Sequence, residues 1–196
     1  MKDAQTSEFY SREAEAYAAR SKDSVAEYLP GFMAQLRAGG SVLELGCGAG
    51  QDSEVLIAAG FDVTPSDGTP AMAAVAQVRL GRPVKILPFD EISEMARYDG
   101  VWAKACLLHA PRTELGAIIS RIHRALLPGG VFYASFKAGS LEDRDQAGRY
   151  YNRPDSAWLT AVYEPSRWTS LKIAETKGGS HFGEPTEWLH VIAIKP

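Results

Sequence analysis

Apolar and polar positions change period several times along the chain, and those changes mark its elements. Ser41-Val42-Leu43-Glu44-Leu45 is a short run of strand type, closed by the glycine cluster Gly46-Cys47-Gly48-Ala49-Gly50, which suits a turn and not an element interior. Asp52 to Ala59 then reads as a helix stopped by Gly60, and Phe61 to Thr64 as a second strand running into a turn at Pro65-Ser66-Asp67-Gly68. A helix follows from Pro70, a residue suited to a first helical turn, to about Leu80, with Gly81 as its stop. Val84 to Leu87 and Tyr98 to Ala103 are the third and fourth strands, separated by a short helix around Glu91 to Ala96. Thr113 caps a helix from about Glu114 to Leu127, whose Leu115, Ile118, Ile119, Ile122 and Leu126 fall on one face. Pro128-Gly129-Gly130 ends it, and Val131 to Phe136 is a fifth strand.

Short apolar strands alternating with longer helical stretches predict βαβ units and a doubly wound, mostly parallel α/β sheet. Two helical stretches precede it, about Ser7 to Ala19 and Val25 to Arg37. The first carries Phe9, Tyr10, Tyr17 and Arg20, aromatic surface that fits either a cap over a site or packing on the sheet's flank. After the fifth strand come an irregular segment (Lys137 to Pro154), a short helix near Asp155 to Tyr163, and strands at Leu171 to Thr176 and Trp188 to Ile194 that should pair as a hairpin. With 196 residues, 45% of them hydrophobic, the chain can bury one good core. The expected organisation is one domain over 1–196: cap helices at 1–38, a binding core at 39–136, and a substrate-side loop, helix and hairpin at 137–196.

Charge narrows the partners. With 21 Lys+Arg against 24 Asp+Glu the formal net charge is −3, which denies the chain the positive field that duplex nucleic acid requires. Met1 to Glu8 hold no apolar run of leader type and no later stretch is long enough to span a bilayer, so a soluble, cytoplasmic protein without membrane partners is expected. Cys47 and Cys106 are too few for a disulfide scaffold or a four-ligand zinc site; both are expected to be reduced pocket or core residues, with no metal bound. The chain fits a monomer or a homodimer.

In an open parallel sheet, ligands bind beyond the carboxyl ends of the strands, where loops meet helix N-termini. The loop after the first strand therefore comes first. Gly46, Gly48 and Gly50 let a ligand approach main-chain N–H groups, but a G-x-G-x-x-G dinucleotide fingerprint would need glycine where Gln51 stands. Glu44, two residues before the first glycine, opposes a diphosphate and favours a cationic ligand carrying an ammonium or sulfonium group. Asp67 stands where doubly wound folds put an acid on ribose hydroxyls. It also suits a turn and the cap of the helix at Pro70, and the two roles are compatible.

Val42-Leu43-Glu44-Leu45-Gly46-Cys47-Gly48-Ala49-Gly50, then Asp67-Gly68-Thr69-Pro70-Ala71-Met72, then Leu126-Leu127-Pro128-Gly129-Gly130 with Phe132, in that order, resemble a class I S-adenosylmethionine-dependent methyltransferase. The resemblance spans about residues 40 to 136. It implies a Rossmann-like seven-stranded sheet with the last strand antiparallel and helices on both faces, and S-adenosylmethionine as cofactor, left as S-adenosylhomocysteine. The cofactor would be held by Glu44, Gly46, Cys47, Gly48 and Gly50 in the first loop, and by Asp67, Gly68 and Met72 at the ribose. Phe89 and Asp90 would lie around the adenine, and Ala105 and Cys106 after the fourth strand. Tyr10, Tyr17 and Arg20 resemble the segment that closes over the cofactor in small members of the family.

Methyl transfer is an in-line displacement that depends on positioning and water exclusion, so a base is optional. His109, after the fourth strand, is the candidate catalytic residue, as a base or a substrate-facing group; capping or packing would use the same residue type. Lys137, Arg149 and Tyr150 are candidates for binding a small acceptor, the two cations receiving an anionic group, although surface loops carry such residues anyway. Leu107-Leu108-His109-Ala110 departs from the Asn/Asp/Ser-Pro-Pro-aromatic tetrad of DNA amino-methyltransferases. A binding module that keeps the cofactor without turnover, and a nicotinamide oxidoreductase, are the alternatives.

Overall fold

A computed structural model describes residues 3–20, 27–179 and 183–196. Its centre is a seven-stranded sheet in the order β3-β2-β1-β4-β5-β9-β8, formed by Lys85–Ile86 (β3), Asp62–Asp67 (β2), Ser41–Leu45 (β1), Tyr98–Ala103 (β4), Leu126–Lys137 (β5), Pro185–Ile194 (β9) and Ser170–Gly179 (β8). Pairs from β3 through β5 are parallel, and β9 runs antiparallel to both β5 and β8. The doubly wound sheet with its antiparallel last strand is as expected.

Side-chain alternation along β1 sorts the core. Leu43 and Leu45 join Val101, Phe132 and Phe136 under helix α5 (Arg112–Ala125) and helix α6 (Ser156–Tyr163). Val42 faces the other way with Trp102, Val131 and Tyr133 onto helix α2 (Leu29–Met33) and helix α3 (Gln51–Ala58). Leu115, Ile118, Ile119 and Ile122 form the buried stripe of α5, each worth about 2 kcal/mol of apolar transfer as an upper figure. Helix α4 (Pro70–Leu80) begins and ends at the predicted residues, stopped by left-handed Gly81.

Several boundaries differ from expectation. Strand β2 runs on through Pro65 to Asp67 instead of turning at Pro65. Asp67 C=O accepts from Leu87 N–H on the β3 side while Ser66 C=O accepts from Cys47 N–H on the β1 side. Alternation therefore turns Pro65's missing N–H toward β3, which pairs only with Ser66 and Asp67. Helix α5 ends at Ala125 because Ala96 and Arg97 N–H donate to the Arg124 and Ala125 carbonyls and Leu126 turns extended. In place of a helix over Glu91 to Ala96 there is one 3₁₀ turn, Phe89–Glu91. The expected helix from Val25 to Arg37 shrinks to α2; its residues 25 and 26 lie outside the described residues, and Pro30 and Gly31 are poor helix interior. The irregular segment after β5 holds a small hairpin, Asp143–Arg144 (β6) with Tyr150–Tyr151 (β7).

Helix α1 (Ala4–Arg20) lies against α4 over the carboxyl ends of the strands. Its start is fixed to the small hairpin: Arg144 pairs with Asp3 at 2.7 Å and Tyr150 N–H donates to Thr6 Oγ1 at 2.8 Å. The Arg144 guanidinium beside it holds the Asp3 carboxyl far below the usual range. Among the described residues no helix is long and apolar enough to cross a membrane.

Candidate functional site

Beneath α1, at the carboxyl ends of β1, β2 and β4, a cavity is lined by Tyr10, Tyr17, Glu44, Gly46, Cys47, Gly48, Asp67, Gly68, Met72, Phe89, Ala105, Cys106 and His109. All thirteen were expected in the site. Ala49, Gln51, Asp52, Pro88 and Lys104 complete the wall. Asp52 and Lys104 were missed; their signal was position, one opening the helix after the glycine loop and the other following the fourth strand.

The glycine loop is a close approach of two strand ends. Gly46 has φ +61°, and a Cβ there would stand 2.4 Å from Cβ of Cys106. Cys106 Sγ–H donates to the Leu45 carbonyl at 3.1 Å, and Ala105, at φ +49°, is held by donating its N–H to Ser135 Oγ at 2.9 Å. Gly50 faces elsewhere. Its φ is +86°, and a Cβ would meet Leu80 of α4 at 3.2 Å, so it sets helix packing and not the cavity wall. Both cysteines are buried and free, and burial pushes both thiols well up.

Asp67 takes the turn-shaping role its sequence position suggested, and its carboxylate also reaches the glycine loop. Its Oδ1 accepts from Thr69 N–H at 2.8 Å, shaping the turn into α4, while Oδ2 accepts from Gly48 N–H at 3.1 Å. These bonds aim a buried carboxylate into the cavity, and burial raises its pKa. Phe89 and Met72 add apolar surface nearby. Asp90 lies outside this wall, in a shallow hollow beside Pro111 and Glu114.

Toward β4 the cavity turns acidic. Glu44 and Trp102 are register partners; Ser53 Oγ–H donates to Glu44 Oε2, and Trp102 Nε1–H donates to Asp52 Oδ2 at 3.0 Å. Lys104 Nζ stands 3.4 Å from Asp52. Burial first, and then the Asp52 charge, push Glu44 up to about 8. Three carboxylates and one lysine suit a cation and repel a diphosphate.

His109 is buried between two fixed partners. Its Nδ1 lies 2.6 Å from the Tyr150 carbonyl oxygen, which only accepts, so Nδ1 carries the hydrogen. Nε2 then accepts from the Tyr10 hydroxyl at 3.1 Å, and Arg149 Nη1 donates to the same hydroxyl oxygen at 3.2 Å. Burial lowers the imidazole pKa to about 4, which keeps it neutral. Arg149 does not line the cavity: it is 1% exposed, ion-paired with Asp145 at 2.7 Å and stacked 4.7 Å over Phe9. Lys137 is also buried outside the wall, 4.3 Å over the Tyr151 ring, and Tyr150 turns its hydroxyl to Glu142. The side chain of Arg20 lies outside the described residues.

Known proteins similar to this chain are methyltransferases. The family model for a methyltransferase domain matches residues 42–130. An uncharacterized methyltransferase of Synechocystis sp. is 32% identical over 148 residues, 72% of this chain and 64% of that protein. Malonyl-(acyl-carrier protein) O-methyltransferase of Pseudescherichia vulneris is 31% identical over 114 residues, 55% of this chain and 43% of that protein. The chain thus spans about two thirds and under half of the lengths of these two relatives. In fold it is similar to the Burkholderia thailandensis 1,6-didemethyltoxoflavin-N1-methyltransferase, crystallised with 1,6-didemethyltoxoflavin and S-adenosylhomocysteine, at a TM-score of 0.78 and 23% identity, covering 98% of this chain and 88% of that one. Motif order, strand order and the domain match over residues 42–130 are similar to those of class I S-adenosylmethionine-dependent methyltransferases.

Proposed function

We propose that the chain transfers a methyl group from S-adenosylmethionine to a small-molecule acceptor. The observation that carries this reading is the pairing, in one cavity, of Asp67 aimed inward by Gly48 and Thr69 with the acidic wall of Glu44 and Asp52. The donor set fits the cofactor: a carboxylate for two ribose hydroxyls, Phe89 and Met72 for the base, and Glu44 with Asp52 for the cationic amino-acid end. The cofactor supplies a sulfonium-bound methyl that a nucleophile displaces. Gln51 in place of a third fingerprint glycine, and the surrounding carboxylates, disfavour a nicotinamide dinucleotide.

Tyr10 and Tyr17, from α1, cover the cavity and exclude water. With Nδ1 committed to Tyr150, the lone pair of His109 is at Nε2, reached through the Tyr10 hydroxyl. An acceptor whose X–H meets that hydroxyl is oriented by the Tyr10–His109 pair, and burial, which holds the imidazole pKa at about 4, makes His109 a positioning group at neutral pH and not a strong base. Small acceptors suit this enclosed cavity, and the named small-molecule enzyme among the structural neighbours supports the same reading. Isothermal titration with S-adenosylhomocysteine tests it: wild type binds, and Asp67→Ala binds at least about tenfold more weakly. Equal affinity in both refutes the ribose assignment.

A further inference from the structure

The acidic end of the cavity holds more carboxylates than cations, and the imbalance centres on Glu44. The groups facing Glu44 are Asp52 and Ser53 from α3, Lys104 after β4, Asp67 from β2, and Cys47 and Cys106 beside the glycine loop. Lys104 alone among them is cationic, and its ammonium sits 3.4 Å from Asp52. Among the described residues no ion pair reaches Glu44, whose bond from Ser53 comes from a neutral hydroxyl. A carboxylate that is 3% exposed, beside a second carboxylate already using the shared lysine, loses more by desolvation than one hydroxyl returns, and so it keeps its proton. Burial and the Asp52 charge push it to about 8.

We propose that Glu44 makes ligand recognition proton-linked: an adenosyl ligand bearing an α-ammonium group ionises Glu44 and expels one proton. This rests on the nucleoside reading of the cavity and deepens it. The bond that breaks is the Glu44 carboxyl O–H, and the proton leaves to solvent. The ligand's ammonium, already charged, becomes the second cation that balances Glu44 and Asp52 alongside Lys104. A ligand with the same nucleoside and no ammonium brings no countercharge and leaves Glu44 protonated. The site thereby selects the amino-acid end of its ligand, separately from the ribose contact at Asp67.

The test is isothermal titration of S-adenosylhomocysteine near neutral pH in buffers of different ionisation enthalpy. About one proton is released per ligand bound, and affinity rises close to tenfold per pH unit before levelling above about pH 8. Methylthioadenosine, which lacks the amino-acid end, binds with no proton release. Glu44→Gln keeps the hydrogen-bonding shape, and it binds S-adenosylhomocysteine without proton release and with a flat pH profile. Infrared difference spectra of the wild-type protein lose a carboxylic-acid carbonyl band when S-adenosylhomocysteine is added, a readout that holds even if the variant fails to fold. Buffer-independent heats, equal proton release with methylthioadenosine, or undiminished release in Glu44→Gln overturn the proposal and leave the nucleoside site standing. Failure of the wild-type protein to bind S-adenosylhomocysteine at any pH overturns the nucleoside reading itself.

Discussion

Tyr10 on the covering helix donates its hydroxyl hydrogen to Nε2 of His109 across 3.1 Å, joining two segments 99 residues apart in sequence at the wall of the cavity. The bond fixes the reach of α1, while the Tyr150 carbonyl on Nδ1 sets the tautomer that lets Nε2 accept it. It also ties the chemistry to burial, because the same enclosure that lowers the His109 pKa excludes water from the site.

The first prediction concerns acid stability. His109 has its folded pKa lowered from 6.5 to about 4, so below about pH 6.5 the unfolded chain binds the proton that the folded protein refuses. Stability therefore falls as pH drops from about 6.5 to 4, by about 3 kcal/mol in total from this group. Urea denaturation of wild type against His109→Gln at both ends of that window measures it; the variant lacks this part of the slope.

Arg149→Met leaves the half-buried Asp145 without its cation and strips Tyr10 of its second hydrogen-bond partner. A loss of about 3 kcal/mol is expected. Adding Asp145→Asn removes the orphaned charge and restores part of that loss in the same denaturation assay.

Gly46→Ala drives a Cβ to 2.4 Å from Cβ of Cys106 and places a side chain on a left-handed φ. We expect at least about 2 kcal/mol of destabilisation and weakened S-adenosylhomocysteine binding. Because the clash is with Cβ, a Cys106→Ser background does not relieve it, which thermal melts of the single and double variants check.

The Arg144–Asp3 pair at the start of α1 is partly exposed, Arg144 by 42%. Arg144→Ala lowers the melting temperature only slightly, and the difference shrinks at high salt. Hydrogen exchange at the first turns of α1 increases while the sheet core stays protected.

Local rules made much of this fold legible. Pro70 and Gly81 delimit α4 because proline's fixed φ suits a first helical turn and glycine tolerates the left-handed stop, and β4 stands at its predicted residues because the apolar run Val101-Trp102-Ala103 follows the turn-type residues Asp99-Gly100. Thirteen of the expected site residues meet at the cavity because ordered loops after parallel strands converge by topology. Pro65 misled because its effect depends on which neighbour its missing N–H faces, a property of the sheet and not of the segment. Lys137 and Arg149 stand as acceptor-binding candidates in the sequence but lie outside the cavity wall, because composition does not reveal that Tyr151 and Phe9 cover their charges. Asp52 is held at the site by Trp102 and faces Lys104, partners 50 and 52 residues away in sequence, so only their places after the glycine loop and after the fourth strand point to them.

That indole has a practical consequence. Trp102 lies flat on Tyr133 at 4.0 Å and bonds directly to Asp52, so its fluorescence sits within the electric field of the acidic wall. Any charge that arrives there or departs changes the colour and yield of its emission, giving the protein an intrinsic optical gauge of ligand capture without an attached dye.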